Sequence, residues 1–99
     1  MRLSDSVKKD LIASIHSVFG PVPILLFGSR LYDDKRGGDI DIAIQIDVTP
    51  ETFEQKRISV LTLLARINFP LPVDIVQYHP SMPKLLQKEI DQEGILLTL

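Results

Sequence analysis

The chain has no cysteine, so it can form neither a disulfide nor a zinc site with cysteine ligands. Its two histidines, His16 and His79, are too few to build a zinc cluster by themselves. No apolar run approaches the roughly 20 residues that a membrane-spanning helix needs, and no signal peptide opens the sequence. We therefore expect a cytoplasmic protein that has no membrane partner.

An excess of positive charge is also missing. The sequence has 11 Lys and Arg residues against 13 Asp and Glu residues, which gives a net charge of −2. Non-specific nucleic-acid binding draws most of its free energy from basic side chains that neutralise phosphates, so we exclude that class of function. The 99 residues are 44% hydrophobic, which is ordinary for a small globular protein. We expect residues 1–99 to form a single domain.

Hydrophobic spacing and turn residues predict alternating helices and strands. The expected helices cover residues 5–19, 49–68 and 83–94, with a short further helix beginning at Ser29; the expected strands cover residues 23–27, 39–46, 72–78 and 96–99. In the second long helix we expect Ile67 to face inward. The pattern indicates an α/β (α+β) fold, in which a small mixed sheet of three to four strands is flanked by helices.

Isoleucine occupies every second position from residue 40 to residue 46. Because strand side chains alternate between faces, the isoleucines bury one face, while Asp39 and Asp41 share the other. Their Cα atoms would lie roughly 6.5–7 Å apart, at a rise of about 3.3 Å per residue. Two-metal sites hold their ions about 3.5–4 Å apart, which such a pair can bracket. Since aspartate is depleted in strands, we favour a metal site over a merely solvent-exposed strand face.

A third acid, Asp74, lies in another β-branched run over residues 72–78. The charge of an acid inside an otherwise apolar strand needs a partner that compensates it. If this strand pairs beside residues 39–46, Asp74 would join Asp39 and Asp41 around the metals and help to deprotonate an acceptor hydroxyl. The alternative interpretation is an acid that forms a structural ion pair.

Gly28 and Ser29 directly follow the apolar run that forms the first predicted strand. Glycine allows a ligand close to the backbone, and serine is a good helix N-cap. A helix that begins at Ser29 would present free amides to an anion, so this pair is a candidate phosphate site. Arg30 is near enough to contact a phosphate, although a solvated arginine is the alternative.

Four features together resemble the minimal nucleotidyltransferases of the DNA polymerase β superfamily: Gly28-Ser29, a nine-residue spacer, Asp39-Ile40-Asp41-Ile42-Ala43-Ile44 and Val73-Asp74-Ile75-Val76. The likeness covers most of the chain, and it implies the nucleotidyltransferase fold. By this resemblance, Gly28, Ser29 and Arg30 contact the nucleotide phosphates. The three aspartates, Asp39, Asp41 and Asp74, are the catalytic residues and hold two Mg²⁺ ions, with ATP as substrate.

Many minimal members of this superfamily work with a helical HEPN-type protein encoded nearby, as toxin–antitoxin pairs. There the small protein is the antitoxin and attaches AMP to a tyrosine of its partner. The resemblance therefore implies a magnesium-dependent protein adenylyltransferase with antitoxin function. It also implies homo- or hetero-oligomers, because the chain has no second domain to hold an acceptor.

The spacer loop differs from the family pattern, because Leu31-Tyr32-Asp33-Asp34 replaces a small glycine-containing turn. Two alternatives to an adenylylating antitoxin remain open. In the first, the chain is a catalytically weak antitoxin that only occludes its partner. In the second, it is a subunit of a small-molecule nucleotidyltransferase. The acceptor and the preferred base do not follow from the sequence.

Overall fold

The computed structural model describes residues 3–28 and 39–98. Three helices and four strands follow one another in the order α1 (Asp5–Phe19), β1 (Ile24–Phe27), β2 (Ile40–Gln45), α2 (Pro50–Arg66), β3 (Val73–Tyr78), α3 (Lys84–Glu93) and β4 (Ile95–Leu96). This order confirms the predicted one; the bounds of α1 agree, and those of the other elements differ by at most three residues. The short helix expected from Ser29 lies outside the described residues.

The four strands form one mixed sheet in the order β3-β2-β1-β4. β1 runs antiparallel to both β2 and β4, whereas β2 and β3 are parallel. A parallel pair needs a crossover connection, and α2 supplies it between β2 and β3. The predicted fold class, a small mixed sheet flanked by helices, is confirmed.

The isoleucines of β2 anchor the larger of the two core clusters. Ile40, Ile42 and Ile44 are each 0% exposed. They pack with α1 and α2, whose buried contributors are Leu11, Ile15, Phe19, Phe53, Val60 and Leu64. Full burial of one such side chain stabilises a fold by about 1.5–3 kcal/mol. This face of the sheet is therefore the main source of stability.

The opposite face of the sheet is covered by α3. A smaller cluster there joins Phe27 of β1 and Ala43 of β2 to Met82 and Ile90. The alternation expected from the sequence holds, because Ala43 and the isoleucines of β2 belong to different clusters. The face that carries Asp41 is thus a packed surface beside α3.

Side-chain caps fix where the two long helices begin. The Ser4 hydroxyl accepts a hydrogen bond from the Val7 amide at 3.2 Å, and the Thr49 hydroxyl accepts one from the Thr52 amide at 3.2 Å. Pro50 follows Thr49 at the first helical turn, where a missing N–H costs nothing. The start expected for this helix at residue 49 is confirmed, since Thr49 is its N-cap.

The prediction that Ile67 faces inward is wrong. Ile67 is 50% exposed, because α2 ends at Arg66 and Ile67 is its C-cap. Within residues 3–28 and 39–98, no helix combines the length and apolar character that crossing a membrane requires.

Candidate active site

The parallel ladder places Asp74 directly beside Asp41. In the register of β2 and β3, Asp41 is the Cα partner of Asp74 and Ile42 that of Ile75. Neighbouring strands lie about 4.8 Å apart, and paired residues point to the same face of a sheet. The two strands pair as expected, and the sheet therefore brings the two acids together.

Asp39 immediately precedes β2 and is exposed. It stands two residues before Asp41, and its negative charge acts on the Asp41 carboxyl. Ile40, between the two, is fully buried, and its amide donates to the Pro72 carbonyl at 2.9 Å. This bond ties the start of β2 to the segment that leads into β3, so the three aspartates share one end of the parallel pair.

Gly28 lies against the Asp41 carboxylate. Phe27, the last residue of β1, is the Cα partner of Asp41, and Gly28 follows it with φ +83°. A Cβ at Gly28 would overlap the Asp41 carboxylate, with the Asp41 Cγ only 3.0 Å away. Glycine is therefore required twice, by the left-handed backbone and by the close approach. Ser29 and Arg30, the other expected phosphate contacts, lie outside the described residues.

The surrounding acids raise the pKa of Asp41. Partial burial is the largest cause, followed by the negative charges of Asp74, Asp39 and Glu89. A buried carboxylate beside other carboxylates favours its protonated form. A bound cation would reverse this effect by stabilising the ionised form.

The donor set suits magnesium, which prefers carboxylate oxygens and keeps part of its shell for water and phosphates. The absence of a Cβ at Gly28 lets the Asp41 carboxylate lie directly against the backbone there. In the part of the chain that the structure describes, however, no three His, Asp or Glu side chains converge closely enough to bind one ion. The residues fit the ion by chemistry and by placement on one face.

Glu89 of α3 is an acid that the sequence did not single out. It precedes Ile90, which packs with Phe27 and Ala43, the neighbours of Asp41 across and along the sheet. Its carboxylate raises the pKa of Asp41. The position follows only from the packing of α3 on this face, which no local pattern reveals.

Arg57 of α2 is a second residue that the sequence analysis did not single out. Its guanidinium donates to both carboxylate oxygens of Glu54, at 2.9 Å from Nε and 2.5 Å from Nη2. Hydrogen bonding to Glu54 raises the pKa of Arg57, and the charge of Asp74 adds to this effect. The salt bridge to Glu54 therefore holds the charged group of Arg57 on the surface of α2.

A cavity of about 450 Å³ lies away from Asp39, Asp41 and Asp74. Gln45, Asp47, Tyr78 and His79 help to line it at the carboxyl ends of β2 and β3. Gln45 is four residues beyond Asp41, or about 13 Å along the strand. His79 bonds there to Asp47 at 3.2 Å, which removes it from the candidate site.

Comparison with known proteins agrees with this geometry. A family described as "Polymerase beta, Nucleotidyltransferase" matches residues 9–99. A search of curated protein sequences gave no match. The three similar solved structures described next align with 92–97% of this chain.

Three of these structures are toxin–antitoxin complexes. The first is a tri-AMPylated Shewanella oneidensis HEPN toxin in complex with its MNT antitoxin, at 19% identity and TM-score 0.66, with 97% of this chain and 72% of that chain covered. The second is a mutant MntA–HpeT complex, at 18% identity and TM-score 0.68, with 92% and 72% covered. The third is a toxin–antitoxin with AMP-PNP, at 21% identity and TM-score 0.67, again with 92% and 72% covered. At these identities the likeness establishes the shared fold.

Proposed function

Because the chain belongs to the polymerase β nucleotidyltransferase family, we propose that it transfers AMP from ATP to a tyrosine of a HEPN-type helical partner and so acts as an antitoxin. The observation that carries the proposal is the meeting of Gly28, Asp41 and Asp74 at one place on the sheet. The similarity to antitoxins bound to HEPN toxins, one of them tri-AMPylated, supports the choice of acceptor. Residues 1–99 would act as one minimal domain.

The proposed reaction is an in-line attack of the tyrosine oxygen on the α-phosphorus of ATP. The new bond joins oxygen to phosphorus, and the bond to the pyrophosphate oxygen breaks. Asp74 would accept the proton of the attacking hydroxyl. The backbone at Gly28 would admit the phosphates close to the chain, and Ser29 with Arg30 would complete their binding. Most of the rate would come from positioning and charge neutralisation.

Asp39, Asp41 and Asp74 would hold two magnesium ions, which supply positive charge to neutralise the phosphates when they are bound. The charges of this chain fit that role, since each acid of the group repels the others without a cation. Partial burial, and after it the charges of Asp74 and Asp39, raise the pKa of Asp41.

The test is a transfer assay with α-labelled ATP, Mg²⁺ and the helical protein encoded next to this chain. The variant Asp39→Asn/Asp41→Asn is measured alongside, and Asp10→Asn, an exposed acid of α1, is the matched control. We expect label on the partner with the unchanged protein and the control, and none with the double variant.

The alternatives give different results in the same assay. Tight partner binding by both versions without any label would indicate an antitoxin that acts by occlusion alone. Label on an added small molecule, with none on protein, would indicate a small-molecule nucleotidyltransferase. Either result would contradict the proposed protein modification.

A further inference from the structure

We propose that the outer edge of β3 binds an extended segment of the partner as an added strand, and that this segment carries the acceptor tyrosine beside Asp74. The inference rests on the proposed function and adds the place where the acceptor docks. Asp74, the proposed proton acceptor, lies on a strand that ends the sheet, in the order β3-β2-β1-β4. Within residues 3–28 and 39–98, no strand pairs with the side of β3 that faces away from β2.

One hydrogen bond fixes which backbone groups of β3 point outward. The Ile40 amide donates to the Pro72 carbonyl at 2.9 Å, so Pro72 directs its carbonyl toward β2. In a strand, the N–H and C=O groups of one residue point to the same side, and that side alternates from each residue to the next. The groups that point away from β2 are therefore those of Val73, Ile75 and Gln77.

The two ends of this edge are its most accessible parts. Ile75, in the middle, is 3% exposed, whereas Val73 and Gln77 are partly exposed. A cavity of about 190 Å³ lies beside the start of β3, where Leu61 and Leu71 help to line it. The cavity of about 450 Å³ lies at the other end of the strand. A peptide added to a sheet edge takes affinity from main-chain hydrogen bonds and specificity from such side-chain pockets.

The direction of the proposed reaction favours the same side of the sheet. In an in-line displacement, the attacking and leaving oxygens lie on opposite sides of the phosphorus. The leaving pyrophosphate would lie toward Gly28, which directly follows β1 and contacts the Asp41 carboxylate. Asp74 lies on the other side of Asp41, because β2 separates β1 from β3. The attacking hydroxyl would therefore approach from beyond β3.

A strand paired with β3 would place one of its residues directly beside Asp74. Residues opposite each other in neighbouring strands point to the same face and lie about 4.8 Å apart. Asp41 and Asp74 already form such a pair, and a tyrosine at the next position would continue the row. Its hydroxyl proton would pass to the Asp74 carboxylate as its oxygen bonds to the α-phosphorus and pyrophosphate leaves.

The larger cavity sets the chemistry of a second contact. Asp47 helps to line it, and the Asp47 side chain is 97% exposed, with His79 bonded to one of its oxygens at 3.2 Å. Tyr78, also in the lining, is four residues beyond Asp74 and on the same face, about 13 Å along the strand. A lysine or arginine in the cavity would complement the Asp47 charge. We therefore expect the segment to carry a basic residue four positions from the acceptor tyrosine.

The first test is amide hydrogen exchange, measured residue by residue by NMR on the purified chain alone and with the helical protein encoded next to it. The Val73 and Gln77 amides should exchange at least about tenfold more slowly in the complex, a factor that corresponds to about one hydrogen bond. The Val76 amide points toward β2 and should be protected in both states. Exchange at Val73 and Gln77 that the partner leaves unchanged would overturn the inference.

The second test separates the backbone from the side chain at one edge position. Gln77→Pro removes an outward N–H, and proline is tolerated on an edge strand at such a position. Gln77→Ala is the matched control, because it also loses the side-chain bonds to the Ile46 and Val48 carbonyls but keeps the N–H. Relative to Gln77→Ala, we expect Gln77→Pro to raise KM for the partner about two- to tenfold at an unchanged kcat. Equal KM values for the two variants would contradict strand addition.

The cavity contact has a test of its own. Asp47→Asn keeps the size of the side chain and removes its charge, so KM for the partner should rise about two- to fivefold. Glu51→Gln, in the first turn of α2, is the matched control and should leave KM unchanged. A KM that Asp47→Asn does not alter would overturn the assignment of a basic side chain to this cavity.

These outcomes separate from a failure of the proposed function. Label on the partner without added protection at Val73 and Gln77 would overturn the docking site and leave the transfer standing. Protection at both amides without any label would support the docking site and contradict the transfer. Protection that appears in the chain alone and is lost on dilution would show that a second copy occupies the edge, which would overturn the inference. The exchange measurement uses the unchanged chain, so it decides the matter even where Gln77→Pro does not fold.

Discussion

Replacing Asp41 by asparagine should stabilise the metal-free protein while abolishing nucleotidyl transfer. Asp41 has Asp74 beside it in the parallel ladder and Asp39 two residues before it. Their charges repel the Asp41 carboxylate, and partial burial penalises it further. Asparagine has nearly the same shape and removes the charge, so this variant keeps the packing and relieves the repulsion.

The size of the effect follows from the geometry of the sheet. A unit charge about 5 Å away, across one strand spacing, costs about 0.8 kcal/mol in water, and one about 7 Å away costs about 0.6 kcal/mol. Salt at about 0.15 M and the partial exposure of these groups reduce the sum by roughly half, to about 0.7 kcal/mol. For a domain of this size the melting temperature should rise by about 3–6 °C.

The assay is a thermal melt without metal, repeated with Mg²⁺. Magnesium should reverse the order of stability, because it stabilises the unchanged protein by about 1.4 kcal/mol at ten times its dissociation constant. Asp10→Asn, an exposed acid of α1, should change neither melt. An Asp41→Asn protein that melts at or below the unchanged protein without metal would refute the electrostatic argument.

Three further results are expected. Gly28→Ala should destabilise the chain by about 1–2 kcal/mol in denaturant unfolding, since a φ of +83° is costly for alanine. It should also stop nucleotidyl transfer, because the new Cβ would overlap the Asp41 carboxylate. Unimpaired transfer would contradict the close approach of Gly28 and Asp41. Ile42→Ala should cost about 2–5 kcal/mol by the same measurement, because Ile42 is 0% exposed; a cost below 1 kcal/mol would contradict its core position. The third result concerns the free energy of unfolding without metal, taken as the value for the unchanged protein minus the value for Asp41→Asn. This difference should fall as pH rises from about 4 through the raised pKa of Asp41, because the folded state binds more protons than the unfolded state in that range. A difference that grows with pH would contradict the argument.

The fold was predictable from the sequence because its signals are local. Alternating isoleucines marked β2, Thr49-Pro50 marked the start of α2, and Gly20 marked the end of α1. The end of α2 was less predictable, since Ile67 continues the apolar spacing past the last helical residue. There the periodicity persists while the helix stops.

The site was predictable only in part, because its members come together through pairing and packing. The spacing of Asp39 and Asp41 is a property of one strand, whereas the meeting of Asp41 with Asp74 depends on the parallel register that α2 creates. Glu89 depends in addition on which face of the sheet α3 covers. Sequence patterns reveal the spacing of residues within one strand, but they do not reveal which strands pair or which face of the sheet a helix covers.

The two faces of the sheet differ in what they hold: one carries the larger core cluster, and the other carries the proposed site beside the smaller cluster. The face toward α1 and α2 buries Ile40, Ile42 and Ile44 completely, and each contributes about 1.5–3 kcal/mol. The repulsion of Asp41 by Asp74 and Asp39 costs the fold about 0.7 kcal/mol at the distances that the sheet sets. Since one buried isoleucine outweighs that cost, β2 can hold adjacent acids in a fixed place without a cation. Under the proposed function, Asp41 and Asp74 lie side by side before magnesium and nucleotide bind, and the charge of the cation would offset their repulsion.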